Sequence, residues 1–143
     1  MQSIAIIGCG AIGEAVGAYL ANNDDVEIGV AIVNPGREAR AREIYGKNTE
    51  VAHDISDIST AIDVAVDCAG HPALRQHGEA ILARGIDLIT VSSGALADAE
   101  LLTRLQAASR AGGAQLRVVA GAIGALDALA AASVGKLRHV TYR

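Results

Sequence analysis

Aromatic residues are almost absent from this sequence. Its 143 residues include three Tyr and neither Phe nor Trp, while hydrophobic residues make up 51% of the chain. A core must therefore be built from Ile, Val, Leu and Ala, a mixture that suits close packing of helices on a sheet. The length is near the commonest domain size and predicts one globular unit.

The sequence also lacks an excess of basic residues, a long hydrophobic run and paired cysteines. Its 12 Lys and Arg are outnumbered by 16 Asp and Glu, so we expect no nucleic-acid partner. No apolar run approaches the roughly 18 residues that cross a bilayer, and no secretion signal is recognisable. Cys9 and Cys68 fit neither a disulfide framework nor a metal site, and we expect two reduced core residues. These absences predict a soluble cytoplasmic protein without a metal or a membrane partner.

Apolar segments of strand length alternate with helical patterns along the chain. This alternation is typical of a parallel sheet with helices on both faces. It predicts an α/β fold with a doubly wound parallel sheet of the Rossmann type, covering residues 1–135. The predicted strands are Ser3–Ile7, Val26–Val33, Val51–His53, Val64–Cys68, Leu88–Ser92 and Leu116–Ala120.

The helices between these strands are predicted from apolar spacing and capping residues. The first begins inside Gly10–Gly13 and is expected to bury Ile12, Val16 and Leu20. Asp98 has the residue type and position of a helix cap.

The last segment, Arg138–Arg143, alternates in polarity like a strand and has no turn or cap after it. It predicts that residues 136–143 begin a truncated C-terminal domain. An unpaired strand edge there favours a homo-oligomer, although the residues do not choose between a monomer and a dimer.

The segment Gly8-Cys9-Gly10-Ala11-Ile12-Gly13 has the spacing G-x-G-x-x-G, follows an apolar strand and opens a helix. In that context Gly8 makes the tight turn, Gly10 leaves room for a pyrophosphate and Gly13 lets helix and strand pack closely. The helix N-terminus, with Ala11 and Ile12, then faces the anion. The alternative is a purely structural strand-to-helix connection.

The end of the second predicted strand lacks the Asp or Glu that commonly binds the ribose 2′-hydroxyl of NAD. The strand continues instead through Asn34 to Arg37. Nothing acidic is expected to repel a 2′-phosphate there, so we expect NADP to be tolerated and even preferred to NAD. Arg37 has an equally plausible structural role as an exposed residue at a helix start.

Three further loops follow strands four, five and six, at the edge where doubly wound sheets bind ligands. Their small residues suit a flat nicotinamide ring lying against backbone. The candidate cofactor-binding residues in the loops after strands four and five are Cys68, Ala69, Gly70, His71, Ser92, Ser93 and Gly94.

Taken in order, these loops resemble the L-aspartate dehydrogenase family, which is related to homoserine dehydrogenases in its nucleotide-binding domain. The resemblance covers the whole chain and is carried by Gly-Cys-Gly-Ala-Ile-Gly, Ala-Gly-His, Ser-Gly-Ala-Leu-Ala-Asp and Gly-Ala-Ile-Gly-Ala-Leu-Asp-Ala. It implies NAD(P)-dependent deamination of L-aspartate to iminoaspartate, which hydrolyses to oxaloacetate and ammonia, or the reverse amination. It also implies, in some bacteria, a supply of iminoaspartate for NAD biosynthesis.

The resemblance implies that Ala122 contacts the cofactor and that the catalytic His lies beyond residue 143. The chain is therefore expected to bind cofactor and to turn over aspartate negligibly by itself. His71 is a weaker catalytic candidate, because its position also suits the start of a helix before Pro72. His53, His77 and His139 have no evident partners in the sequence and are predicted to lie at the surface or at strand ends.

Two alternatives stay open from the sequence. A nucleotide-binding domain does not choose a substrate, so another homoserine dehydrogenase-like amino- or hydroxy-acid dehydrogenase fits the same motifs. A stand-alone regulatory module that binds NAD(P) also fits them. The unfinished last segment favours the enzyme.

Overall fold

The computed structural model describes residues 1–119, 126–135, 138–139 and 141. They contain one parallel sheet of six strands in the order β3-β2-β1-β4-β5-β6. The strands are β1 (Gln2–Ile7), β2 (Val26–Ile32), β3 (Glu50–Ala52), β4 (Val64–Asp67), β5 (Asp87–Thr90) and β6 (Leu116–Val118). All six predicted strands and the doubly wound Rossmann-type fold are confirmed, each strand within two residues of its predicted ends where these are described.

The helices are α1 (Ala11–Leu20), α2 (Glu38–Tyr45), α3 (His71–Ala83), α4 (Ala99–Gly112) and α5 (Leu126–Ala132). Short 3₁₀ helices cover Ile55–Asp57 and Ser93–Ala97. The predicted cap of α4 is confirmed, because the Asp98 carboxylate accepts hydrogen bonds from the backbone N–H groups of Glu100 and Leu101 at 3.1 and 3.2 Å.

The sheet is covered by different helices on its two faces. Helices α3 and α4 cover one face and bury leucines such as Leu82 and Leu105. Helices α1 and α2 pack on the other, where Val16 and Leu20 lie against β1. Ile12 was expected to join them but is 51% exposed. It lies in the first turn of α1, which starts at the edge of the sheet before the helix runs back over it.

The two cysteines are free, but only one belongs to the core. Cys68 is buried against β1, and this burial raises the pKa of its thiol to about 11. Cys9 is only half-buried, because it lies in the turn between β1 and α1. The prediction of two core cysteines is therefore correct for Cys68 alone.

The last segment is described only in part. Arg138, His139 and Thr141 have no regular secondary structure, so the predicted strand is not seen at these positions, and its other residues lie outside the described part. His139 does have a partner, since its Nε2 lies 2.9 Å from the Thr141 hydroxyl oxygen. The division into two domains stays a prediction. Among the described residues, no helix is both long and apolar enough to cross a membrane.

Candidate functional site

The turn between β1 and α1 leaves open space at its second glycine. Gly8 has a positive φ of 96°, and a Cβ placed on it would lie 2.9 Å from the Cβ of Ala69. A Cβ placed on Gly10 would have no atom within 4 Å beyond its chain neighbours. Gly10 is the N-cap of α1 and has an extended backbone, with φ −87° and ψ −168°. This open position at a helix N-terminus fits the pyrophosphate of a dinucleotide.

The third glycine is enclosed by Tyr45, which sequence reasoning did not select. The Tyr45 hydroxyl donates a 2.7 Å hydrogen bond to the carbonyl oxygen of Gly8. A Cβ on Gly13 would collide with that hydroxyl and would lie 3.0 Å from the same carbonyl oxygen. Burial is the main cause that raises the pKa of Tyr45, so the phenol stays a donor. Gly13 and Gly17 lie one turn apart on the same face of α1. This spacing was the sequence signal that a large side chain packs against that face.

Asp67, also missed from the sequence, joins the loops that follow β4 and β5. Its side chain is fully buried at the end of β4. Oδ1 accepts hydrogen bonds from the N–H groups of Ala69 and Gly70 at 3.0 and 3.2 Å. Oδ2 accepts hydrogen bonds from the hydroxyls of Thr90 and Ser92, each at 2.7 Å. Carboxylates are rarely buried without partners. An Asp at the end of an apolar strand was therefore the sequence signal that could have predicted a buried, hydrogen-bonded carboxylate here.

The same two loops meet at His71 and Gly94. A Cβ on Gly94 would lie 2.8 Å from Cε1 of the His71 ring, and His71 itself is exposed. Ser93 is half-buried beside them, whereas Ser92 is buried and donates its hydroxyl hydrogen to Asp67. Ala122 lies outside the described residues.

A cavity of about 190 Å³ lies at the carboxyl ends of β1 and β2, beside α3. Its wall includes three residues selected from the sequence, Gly8, Asn34 and Ala69. Gln76 and His77 of α3, together with Asn34, supply the polar groups of its lining. A cavity of about 400 Å³ at the opposite edge contains none of the selected residues. The smaller cavity is therefore the one continuous with the glycine turn.

His77 is 5% exposed, so the prediction of a surface position was wrong. It lies on the buried side of α3, where its Nδ1 is 3.6 Å from Asp54 Oδ2 and has no hydrogen-bond partner among the described residues. Burial lowers the pKa of His77 despite the opposing charge of Asp54. The lowered pKa favours the neutral imidazole, which can pack between α3 and the loop that carries Asp54.

His53 and Glu38 meet beside the loop after β2, so His53 does have partners. Its Nδ1 is 2.8 Å from the Val33 carbonyl oxygen, and its Nε2 is 3.2 Å from Glu38 Oε1. Glu38 Oε1 also accepts the N–H of Gly36 at 3.1 Å, and backbone hydrogen bonds lower the pKa of this carboxyl. Nothing acidic was expected to repel a 2′-phosphate here, and the structure adds a carboxylate to this region, because Glu38 in the first turn of α2 folds its side chain back onto the loop.

Arg37 is exposed in the same loop. It forms no ion pair with any residue in the described part of the chain, and its N–H donates to the Asn34 carbonyl oxygen at 3.1 Å. Asn34 is exposed as well. The loop therefore presents one cation, Arg37, next to one backbone-held carboxylate, Glu38.

Comparison with known proteins agrees with this geometry. Residues 8–119 match the family described as homoserine dehydrogenase, NAD binding domain. The chain belongs to this family.

Relatives extend the comparison beyond the family match. An L-aspartate dehydrogenase of Ruegeria pomeroyi is 46% identical over 139 residues, which are 97% of this chain and 49% of that protein. The L-aspartate dehydrogenase of Pseudomonas aeruginosa is 40% identical, with 99% and 54% covered. The resemblance stated from the motifs is confirmed. The chain spans about half the length of the curated relatives it matches.

Solved structures show the same fold at lower identity. Aspartate dehydrogenase from Thermotoga maritima superposes with a TM-score of 0.67 at 22% identity, over 92% of this chain and 51% of that one. The WlbA dehydrogenase of Bordetella pertussis, in complex with NADH and UDP-GlcNAcA, gives 0.69 at 20% identity, over 82% and 34%.

Proposed function

We propose that this chain is the cofactor-binding part of an NAD(P)-dependent L-aspartate dehydrogenase. The open Gly10 at the N-terminus of α1 carries the proposal, and the relatives named L-aspartate dehydrogenase support the substrate. In the proposed reaction L-aspartate loses a hydride and a proton to give iminoaspartate, which water converts to oxaloacetate and ammonia. A homo-oligomeric state and a cytoplasmic location stay predictions of the sequence.

Each segment at the carboxyl edge of the sheet has a distinct proposed role. The N–H groups of the first turn of α1, from Ala11 to Gly13, lack partners within the helix and can bind the pyrophosphate. The cavity beside Asn34 takes the adenosine half. The loops with Gly70, Ser93 and Gly94 hold the nicotinamide, the group that accepts the hydride from the substrate carbon. Cys68 and Ser92 support these loops from within, since both side chains are buried.

His71 remains a secondary catalytic candidate within the proposed site. Its exposed ring lies against Gly94, where it can exchange a proton with a substrate beside the nicotinamide. The resemblance assigns the main acid–base His to the following domain. We therefore propose that His71 chiefly contacts the cofactor, with catalysis as its secondary role.

The coenzyme preference is proposed to depend on Arg37 and Glu38. Arg37 has no competing ion pair among the described residues and can pair with a 2′-phosphate, so NADP should bind as well as NAD. Arg37→Gln should weaken NADP binding about fivefold, the equivalent of ~1 kcal/mol for an exposed ion pair, and leave NAD unchanged. Glu38→Gln should strengthen NADP binding by a similar factor.

Calorimetric titration with both dinucleotides checks this prediction. Lys47→Gln is the matched control, since it removes one exposed cation beyond the other end of α2. Binding of NAD alone by the unsubstituted chain would reject the proposed pairing, and equal losses for Arg37→Gln and Lys47→Gln would assign the effect to net charge.

The function itself is tested on the 143-residue chain with the same titrations and an assay for aspartate-dependent formation of reduced nicotinamide. We expect binding with negligible turnover, because the resemblance assigns the catalytic His to a following domain. Absence of binding by both dinucleotides would remove the basis of the proposal. Clear turnover would show that this chain carries its own acid–base group. His71→Ala would then test whether His71 is that group.

A further inference from the structure

We propose that Asp67 is a positioning residue that sets the relative placement of the two nicotinamide-facing loops. This inference rests on the proposed function, because those loops matter only if a dinucleotide lies against them. Neither the motifs nor the relatives assign Asp67 a role.

The two carboxylate oxygens of Asp67 divide their hydrogen bonds between the loops. Oδ1 takes both backbone donors of the turn after β4, Ala69 and Gly70. Oδ2 takes both hydroxyl donors from β5 and the loop after it, Thr90 and Ser92. One rigid, planar group therefore bridges the two loops, which also meet where Gly94 lies against the His71 ring.

Each loop held by Asp67 touches another part of the candidate site. On one side Ala69 packs against Gly8 so closely that a Cβ on Gly8 would lie 2.9 Å from its side chain. On the other side the loop after Ser92 carries Gly94 against the His71 ring. A shift at Asp67 is therefore passed to the glycine turn and to the nicotinamide-facing edge.

A buried carboxylate is a costly way to stabilise a fold, because a buried ionic group often contributes no more stability than apolar residues of similar volume. The presence of Asp67 is better explained by the fixed positions that its two oxygens impose on four donors, two from each side. An Asn replaces it only in part. If the amide oxygen keeps the two backbone donors, the amide NH₂ takes the place of Oδ2, and the hydroxyls of Thr90 and Ser92 lose the oxygen to which both donate.

Asp67→Asn in the 143-residue chain tests the inference, with NAD affinity and the melting temperature measured on the same samples. We expect the dissociation constant to rise about tenfold, which corresponds to ~1.4 kcal/mol. Leu105→Ala is the control, since it shortens a fully buried side chain of α4 that lies against Gly78 in the middle of α3. It should lower the melting temperature and keep the affinity of the folded protein.

A second pair of variants keeps the test decisive if Asp67→Asn does not fold. Thr90→Val removes the hydroxyl at nearly constant volume, and Thr90→Ser keeps it. Valine should weaken NAD binding severalfold and serine should restore it. Unchanged affinity in both Asp67→Asn and Thr90→Val, or an equal loss in Leu105→Ala, would overturn the inference. Failure of the unsubstituted chain to bind NAD would instead reject the proposed function.

Discussion

A chain carrying Gly10→Ala is expected to fold normally and to bind NAD and NADP about thirtyfold more weakly. The folded protein tolerates the methyl group, because the backbone at Gly10 is extended and a Cβ there meets no atom within 4 Å beyond its chain neighbours. In the complex the same methyl group would occupy the space through which the pyrophosphate approaches the backbone. Thirtyfold corresponds to ~2 kcal/mol, in the middle of the usual cost of overpacking.

Titration calorimetry and thermal unfolding of the same preparation check this prediction. Gly135→Ala is the control, since its Cβ would make only an ordinary contact of 3.6 Å with the Ala132 carbonyl oxygen. It should bind as tightly as the unsubstituted chain. If Gly10→Ala also binds normally, the pyrophosphate does not approach Gly10 and the proposed site is wrong.

The second large effect is expected at Gly13, on stability. Gly13→Ala would place a methyl group against the Tyr45 hydroxyl and 3.0 Å from the Gly8 carbonyl oxygen, neither of which can move freely while they are hydrogen-bonded to each other. We expect a loss of ~2 kcal/mol in the free energy of unfolding, or roughly 4–8 °C in melting temperature.

A double-mutant cycle with Tyr45→Phe identifies the cause. Tyr45→Phe alone loses the hydrogen bond to Gly8, worth ~1 kcal/mol, and gives the space that the Gly13 methyl group needs. The double variant should therefore be more stable than the sum of the two single losses allows. Strict additivity would mean that the backbone contact with Gly8, and not Tyr45, makes Gly13 necessary.

Sequence reasoning located the elements well because the signals for them are local. Apolar runs bounded by polar turns predicted six strands, and an Asp ahead of an apolar helix predicted the cap of α4. The glycine spacing predicted the turn at Gly8–Gly13 for the same reason, since a helix must start directly after β1.

The errors concern residues whose roles depend on distant partners. Asp67 hydrogen-bonds to residues 23 and 25 positions away in sequence. Tyr45 reaches Gly8 across 37 positions, and Glu38 lies 15 positions before His53. Ile12 has the spacing of a core residue but lies at the edge of the sheet, which the helical period alone cannot show.

The sequence by itself determined the class of fold, the six strands and the position of the glycine turn, because strand period, helix capping and glycine spacing act over a few residues. Only the tertiary structure decided which side chains complete the site. Burial and hydrogen bonding between segments far apart in the chain place Asp67 between two loops, Tyr45 over the glycine turn and Glu38 beside His53. Those pairings follow from the packing of the whole sheet with its helices, and no local pattern in the sequence contains them.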